Sequence, residues 1–199
     1  MRKEQFVMKF DSPDNIWFTS DTHFGHKNIS RFTKRPWNST EEMDEGLIKN
    51  WNEVVGENDI VFHLGDFAFA SNGRWKELIE KLNGRIYLIL GYHDITRWPG
   101  DSIMDLFEGV YPQLVIVIGQ KHFILNHCPL LCYGGTYRNP PVYQLFGHVH
   151  SGPNITNLDS DRLKYCFPFQ YDVGIDNNNY RPVSAYEIIE KICNYETKE

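Results

Sequence analysis

Aspartate and histidine recur in this chain just after short apolar runs: Asp21 and His23, then Asp66, then His127, and finally His148 and His150. Carboxylate and imidazole donors together suit Mn, Fe or Zn, whereas thiolate favours softer metals and an all-oxygen set favours Mg or Ca. His148 and His150 lie two residues apart, so an extended segment points them the same way, and Asp21 with His23 repeats that spacing. Segments that end at one sheet edge could gather enough ligands there for two cations, with one aspartate bridging them. Two ions about 3.5–4 Å apart clamp a phosphoryl group and lower the pKa of a bridging water to give hydroxide near neutral pH. Hydrolysis of a phosphate ester is the natural use of such a pair. Gly91-Tyr92-His93-Asp94 follows another apolar run and joins the series.

The elements that must position these groups alternate between strand and helix. Ile16–Ser20, Ile60–Leu64 and Ile86–Leu90 read as buried strands, each running into a polar or glycine-led turn. Ser39 with Glu42 forms a capping box for a helix whose apolar face is Met43, Leu47, Ile48, Trp51, Val54 and Val55, ended by Gly56. A second helix carries Trp75, Leu78, Ile79 and Leu82 on one face and closes at Asn83-Gly84. Leu114–Ile118 and His122–Leu125 flank Gly119-Gln120, the pattern of a β-hairpin. Val142–Phe146 and Tyr171–Ile175 complete the strands, and a last helix opens at the Ser184/Glu187 capping box. The order is α/β first and more hairpin-like later, so a mixed sheet or a pair of packed sheets fits better than a purely parallel one.

Composition sets bounds on this reading. The 199 residues make one domain over residues 1–199 the economical choice, with 41% hydrophobic and 23% charged residues as in ordinary globular proteins. The net charge of -6 argues against a protein that holds long nucleic acid on a broad cationic surface. It leaves a phosphate substrate open, because bound cations would dominate the local field. Cys128, Cys132, Cys166 and Cys193 show no paired spacing and read as reduced thiols. Met1–Phe10 lacks the continuous apolar core of a signal peptide, and no run approaches a membrane span. A soluble, cytoplasmic protein with no membrane partner is expected.

The ordered series Asp21-Thr22-His23, Gly65-Asp66, Gly91-Tyr92-His93-Asp94, His127 and Gly147-His148-Val149-His150 resembles the calcineurin-like metallophosphoesterase superfamily, and the tail from Tyr171 to Ile189 resembles its compact bacterial and phage members. The resemblance implies an α/β fold, a four-layered α/β/β/α sandwich with two mixed β-sheets and a dinuclear metal centre at the strand ends. It assigns Asp21, His23 and His150 to one ion, His127 and His148 to the other, and Asp66 to both. His93 would protonate the leaving-group oxygen, held by Asp94. The implied cofactors are two divalent ions, Mn, Fe or Zn with Mn favoured. The implied reaction is hydrolysis of a phosphodiester, a cyclic nucleotide or a small phosphomonoester, with a nuclease less favoured because no basic run marks a nucleic-acid track.

The chain departs from the family pattern at Tyr92, where the pattern has Asn completing the second metal site. A phenol coordinates only after losing a proton of pKa about 10. Tyr92 either ligates an ion, swings aside and leaves the second site weaker, or blocks it, and the second outcome is the expected one. A weakened site would leave a binding module on the same scaffold as the alternative to an enzyme. Elsewhere, His63 reads as a hydrogen-bonded core histidine and His122 as a strand-surface residue, while His26 either faces the site or stabilises its loop. Tyr133, Gly134, Gly135, Tyr137 and Arg138 form either a substrate-contacting loop or an ordinary connection, and Arg97 with Trp98 poses the same choice.

Overall fold

The computed structural model describes residues 7–134, 141–152 and 160–193. Its strands are β1 (Val7–Phe10), β2 (Ile16–Thr19), β3 (Ile60–His63), β4 (Arg85–Ile89), β5 (Gly109–Tyr111), β6 (Leu114–Ile118), β7 (Lys121–Leu125), β8 (Val142–Phe146), β9 (Gln170–Asp172) and β10 (Val183–Ser184). Its helices are α1 (Ile29–Thr33), α2 (Thr40–Asn52), α3 (Asn72–Lys81), α4 (Tyr92–Thr96), α5 (Asp101–Met104) and α6 (Ala185–Cys193).

The strands form two five-stranded sheets, ordered β10-β2-β3-β4-β5 and β1-β6-β7-β8-β9. Both are mixed: β10 runs antiparallel to β2 in the first, and β6 antiparallel to β7 in the second. The expected two-sheet α/β architecture is therefore present. The β6–β7 hairpin turns at Gly119 and Gln120, with Ile118 opposite Lys121 and Gly119 in the left-handed region at φ +58°.

Phe18 and Phe62 from the first sheet meet Ile116, Phe123 and Tyr143 from the second in one buried cluster, all within 1% of full burial. This layer explains why β2, β3, β6 and β7 read as apolar runs rather than clean alternations: both faces of the inner strands are covered. On the other side of the first sheet, α2 and α3 bring Trp51 and Trp75 against Val61, Ile86 and Leu88. Trp51 can be fully buried because its indole N–H donates to the Asn83 carbonyl at 2.9 Å. The outer face of the second sheet carries Ile124 and Val142, packed by Leu130, Tyr133 and Phe169.

The helix starts follow the sequence signals. Ser39 Oγ accepts from the Glu42 amide at 3.1 Å, and Ser184 Oγ accepts from the Glu187 amide while Glu187 Oε2 accepts in return from the Ser184 amide at 2.9 Å. Two strands carry no such signal. β1 pairs in parallel with β6 from Val7↔Val115 to Phe10↔Ile118, and β5 pairs with β4 through Tyr87↔Gly109. Among the described residues, no helix is long and apolar enough to cross a membrane.

Parallel register brings strand ends together. Thr19 lies beside His63 and His63 beside Leu88 in the first sheet, as Leu125 lies beside Leu145 and Phe146 beside Asp172 in the second. The two edges are joined where Ser20 bridges Gly174, and within the second sheet the Gly147 amide extends the β7–β8 pairing by donating to the His127 carbonyl at 2.9 Å.

Candidate metal centre

Asp21 (φ 59°), His23 (φ 51°), Asp66 (φ 56°), His148 (φ 71°) and His150 (φ 45°) all sit in the left-handed backbone region. Aspartate and histidine tolerate this region better than most residues, yet single excursions of this kind still cost about 1–3 kcal/mol and gather at functional sites. Here they fall within four residues of the ends of β2, β3 and β8. The turns brace one another, for the Asp21 amide donates to the Gly65 carbonyl at 2.9 Å and the His23 amide to the Asp66 carbonyl at 3.0 Å.

Two glycines make room for the carboxylates. A Cβ on Gly147 would fall within contact-forbidden distance of the Asp21 Oδ2 and the Ser20 hydroxyl, and one on Gly91 would lie 2.5 Å from the Asp66 amide nitrogen. At Gly147 the same close approach lets the next amide, that of His148, donate to Asp21 Oδ2 at 2.9 Å.

The structure brings the sequence-predicted groups into one cluster. Asp21, His23 and His150 each offer a ligand atom within 4.8 Å of the others, as do Asp21, Asp66 and His127. His23 Nε2 faces His150 Nε2 at 3.2 Å, and each is 3.9 Å from Asp21 Oδ1. Two nitrogens each about 2.1 Å from one ion stand roughly 3.0–3.4 Å apart, so this pair matches shared coordination. Asp66 Oδ2 stands between the groups, 3.6 Å from both His23 Nε2 and His127 Nε2. The His148 ring packs against His127 with centroids 5.1 Å apart. Asp21 Oδ1 and His127 Nε2 are buried without a hydrogen-bond partner. Such orphaned atoms are rare in folded proteins, and both are donor atoms suited to a cation.

Backbone and side-chain contacts set the imidazole tautomers. His127 Nδ1 donates to the Leu64 carbonyl at 2.7 Å, which leaves the Nε2 lone pair directed at Asp66. His150 Nδ1 donates to Asp176 Oδ2 at 2.8 Å, leaving its Nε2 toward His23. Burial and the charge of His150 hold the His23 pKa well below the usual imidazole range, so His23 is neutral as a ligand must be. For His150, burial pulls downward, but the hydrogen bond to Asp176 and the charges of Asp21 and Asp176 outweigh it and the net shift is upward.

His93 lies at the rim with a third of its side chain exposed, its Nε2 3.9 Å from Asp66 Oδ2. Burial lowers its pKa while Asp66 opposes that. The expected contact from Asp94 to the His93 ring is not what Asp94 does. Its carboxylate is fully buried and accepts from the amides of Asp66 (2.8 Å), Gly91 (2.9 Å) and Phe67 (3.0 Å). Three short bonds to backbone amides turn both oxygens toward the Asp66 loop, and burial still raises the carboxyl to about 6. Asp94 holds the turn that presents Asp66. Tyr92, at the start of α4, is 63% exposed and meets His93 edge to face at 5.4 Å.

The matching family model is that of the calcineurin-like phosphoesterases, over residues 15–164. The chain belongs to the calcineurin-like phosphoesterase family. It is 35% identical over 185 residues to uncharacterized protein MJ1445 of Methanocaldococcus jannaschii, covering 89% of this chain and 90% of that one. It is also 38% identical over 194 residues to the gene 66 protein of Mycobacterium phage D29, covering 81% of this chain and 88% of that one. Among solved structures, a protein of unknown function from Aquifex aeolicus, AQ665, shares the fold with a TM-score of 0.67 at 24% identity, covering 88% of this chain and 97% of that one. Calcineurin-like phosphoesterases act on phosphate esters with divalent metals, and the Asp and His groups of this chain could hold such ions.

Several residues of this calcineurin-like phosphoesterase site escaped the sequence reading. Asp176 is buried behind His150 and takes Arg35 Nε at 2.8 Å and Arg35 Nη2 at 3.1 Å. The Arg35 guanidinium also donates to the carbonyls of Asp21 and Thr22, each at 2.7 Å, so one buried cation ties the first ligand loop to the last. Asp172, buried near Asp21, accepts from Ser151 Oγ and from the Gly174 amide, and burial raises it to about 7. The only sequence signal was the Asp172-Val-Gly-Ile-Asp176 pattern, of which Tyr171–Ile175 reads as a strand. Arg35, in a loop after α1, had none.

The remaining histidines divide. His63 is buried as expected: the Gly65 amide donates to its Nδ1 at 3.2 Å, so its Nε2 donates to Thr22 Oγ1 at 2.9 Å, and burial pushes its pKa to about 3. His26 faces the site side, edge-on to Phe69 at 4.2 Å and to His23 at 5.5 Å. His122 is half-buried on β7. Arg97 lies over the Phe69 ring at 4.4 Å, and that ring meets His93 at 4.5 Å. Tyr133 is packed on the second sheet, whereas Gly135, Tyr137 and Arg138 lie outside the described residues.

Proposed function

We propose that this chain is a metal-dependent phosphoric ester hydrolase, acting as a single domain, with phosphodiesters, cyclic nucleotides among them, favoured over small phosphomonoesters. The observation that carries this reading is the cluster of Asp and His residues, five of them in the left-handed region, in which the buried Asp21 Oδ1 and His127 Nε2 lack hydrogen-bond partners. Asp21, His23 and His150 would hold one ion and His127 with His148 the other, with Asp66 reaching both. The donor set suits Mn, Fe or Zn, and Mn is the ion favoured for assay. Bound ions would neutralise phosphate charge and lower the pKa of a water so that it can attack phosphorus in line.

The chain's own groups supply the rest. His93, partly exposed and 3.9 Å from Asp66, delivers a proton to the leaving-group oxygen. Asp94 acts as a positioning residue, fixing the Asp66 and Gly91 turns through their amides. Arg97, held over Phe69 beside His93, meets the negative charge of the ester. The rim beside His93 carries the exposed Tyr92, Ile95 and Trp98, an open border that admits a diester with two substituents.

A second reading rests on Tyr92, whose 63% exposure is that of a residue swung away from the cluster. On that reading the second ion is held weakly and the protein is a catalytically weakened binding module. Metal analysis together with hydrolysis of bis-p-nitrophenyl phosphate in Mn²⁺ separates the two. Turnover by the wild type supports the enzyme. Its absence from both the wild type and Tyr92→Asn, with folded, metal-loaded samples, would defeat that reading, and a gain in Tyr92→Asn alone would mark a site disabled at one position.

A further inference from the structure

We propose that Cys128 is a ligand of the second ion, so that this site joins Asp66, His127, His148 and a thiolate; the inference rests on the dinuclear reading above and deepens it. Among the described residues, the ligand grouping that contains His148 is completed by Cys128, with ligand atoms of His127, Cys128 and His148 all within 4.8 Å of one another. His127 is 4% exposed, and its Nε2 is buried with no hydrogen-bond partner. Its ring is fixed from behind by Nδ1 donating to Leu64, and its Nε2 lies 3.6 Å from Asp66 Oδ2. His127 thus belongs to two ligand groupings, one with Asp21 and Asp66 and one with Cys128 and His148.

The backbone of Cys128 is held in place. Its amide donates to Asn126 Oδ1 at 3.0 Å, and its carbonyl accepts from Gln144 Nε2 at 3.0 Å. Gln144 is fully buried and its Oε1 also accepts from the Leu130 amide at 3.0 Å, so the turn after β7 is clamped on both sides of Cys128. Tyr92, by contrast, spends its side chain on solvent and the edge of His93. Cys128 itself is exposed, which lets an ion arriving from solvent meet the sulfur and displace its proton to water.

Two carboxylate or imidazole sites of equal softness would not tell first-row ions apart. A thiolate does, and it moves this site toward Zn²⁺, Fe²⁺ or Co²⁺ and away from Mn²⁺, while the Asp21, His23 and His150 site keeps oxygen and nitrogen donors only. The protein would then hold two unlike ions.

Cobalt(II) titration of the whole chain, followed by near-ultraviolet absorption and elemental analysis, tests this. The wild type binds two cobalt ions and develops a sulfur-to-cobalt charge-transfer band with the second. Cys128→Ser loses the band and binds the second ion at least tenfold more weakly, while a variant carrying Cys132→Ser, Cys166→Ser and Cys193→Ser together keeps both. Two bound cobalt ions without a charge-transfer band, or a band that survives in Cys128→Ser, would overturn the thiolate and leave the dinuclear reading standing. A wild type that binds no cobalt would overturn both.

Discussion

His150 donates from Nδ1 to Asp176 Oδ2 at 2.8 Å, while the other oxygen of Asp176 accepts from Arg35 Nε at the same distance. The carboxylate both orients an imidazole of the metal cluster and neutralises the buried guanidinium that braces the Asp21 and Thr22 carbonyls. Replacing a carboxylate behind a metal-binding histidine lowers affinity by about 10–100-fold. Leaving a buried arginine without its partner costs about 3–5 kcal/mol. Asp176→Ala is therefore expected to lose affinity for the ion that Asp21, His23 and His150 would hold, measured by chelator competition, and stability, measured by urea unfolding. In the double variant Arg35→Met with Asp176→Leu, stability returns in part and metal affinity does not.

Asp94→Asn separates a backbone-holding role from a proton-orienting one. The carboxylate serves three amides, and an amide side chain offers one oxygen and puts an N–H₂ against the others. A loss of about 1–3 kcal/mol is expected from the unsatisfied donors. Weaker metal binding should accompany it, with the pH dependence of turnover assigned to His93 unmoved. An altered pH profile at unchanged stability would return Asp94 to the His93 ring.

Gly147→Ala places a methyl where Asp21 Oδ2 and Ser20 Oγ already sit. Overpacking of this kind costs about 1–3 kcal/mol. Because Asp21 must move to relieve it, metal affinity falls too, whereas Gly73→Ala, on the open surface of α3, leaves metal affinity unchanged and raises stability by about 0.4–1 kcal/mol. Thermal unfolding with and without metal reads the difference.

His63 gives stability a defined pH dependence. Its pKa is about 3 in the fold, through burial, against about 6.5 in the unfolded chain. Above the unfolded value both states are neutral and the contribution is complete. As pH falls through about 6.5, the unfolded chain binds a proton that the folded chain refuses until about 3, so stability declines by up to roughly 1.4 kcal/mol per pH unit. Protonation at Nδ1 would also oppose the Gly65 amide that donates there. His63→Gln should flatten the slope of unfolding free energy between about pH 6.5 and 4, and an unchanged slope would show that other groups set it.

The ligand series was legible because strand ends leave a local mark: an apolar run of a few residues, then Gly, Asp or His. That pattern predicted Asp21, His23, Asp66, His127, His148 and His150 as neighbours, and all lie at the shared edge of the two sheets. The capping boxes at Ser39 and Ser184 were legible for the same reason, since both partners lie within one turn. β1 and β5 were not, because a short edge strand is defined by a partner far along the chain, as Val7 is by Val115. Arg35 and Asp176, which hold each other across the molecule, left no local trace in either segment.

By itself, then, the chain's order of apolar runs and ligand residues determined an α/β fold and the side chains that could bind metal, because periodicity and strand-end chemistry are local properties, while the choice of two sheets came only with the family resemblance of the ordered series. Only the tertiary structure decided what those side chains do to one another. It turned the Asp94 carboxylate from His93 to the Asp66 amides, put Asp176 behind His150, left Tyr92 in solvent and brought Cys128 to His148. The physical reason is that a hydrogen bond or a coordination set depends on angles and distances of a few ångströms between segments far apart in sequence. Spacing along one strand specifies a direction, and the packing of two sheets specifies the meeting point.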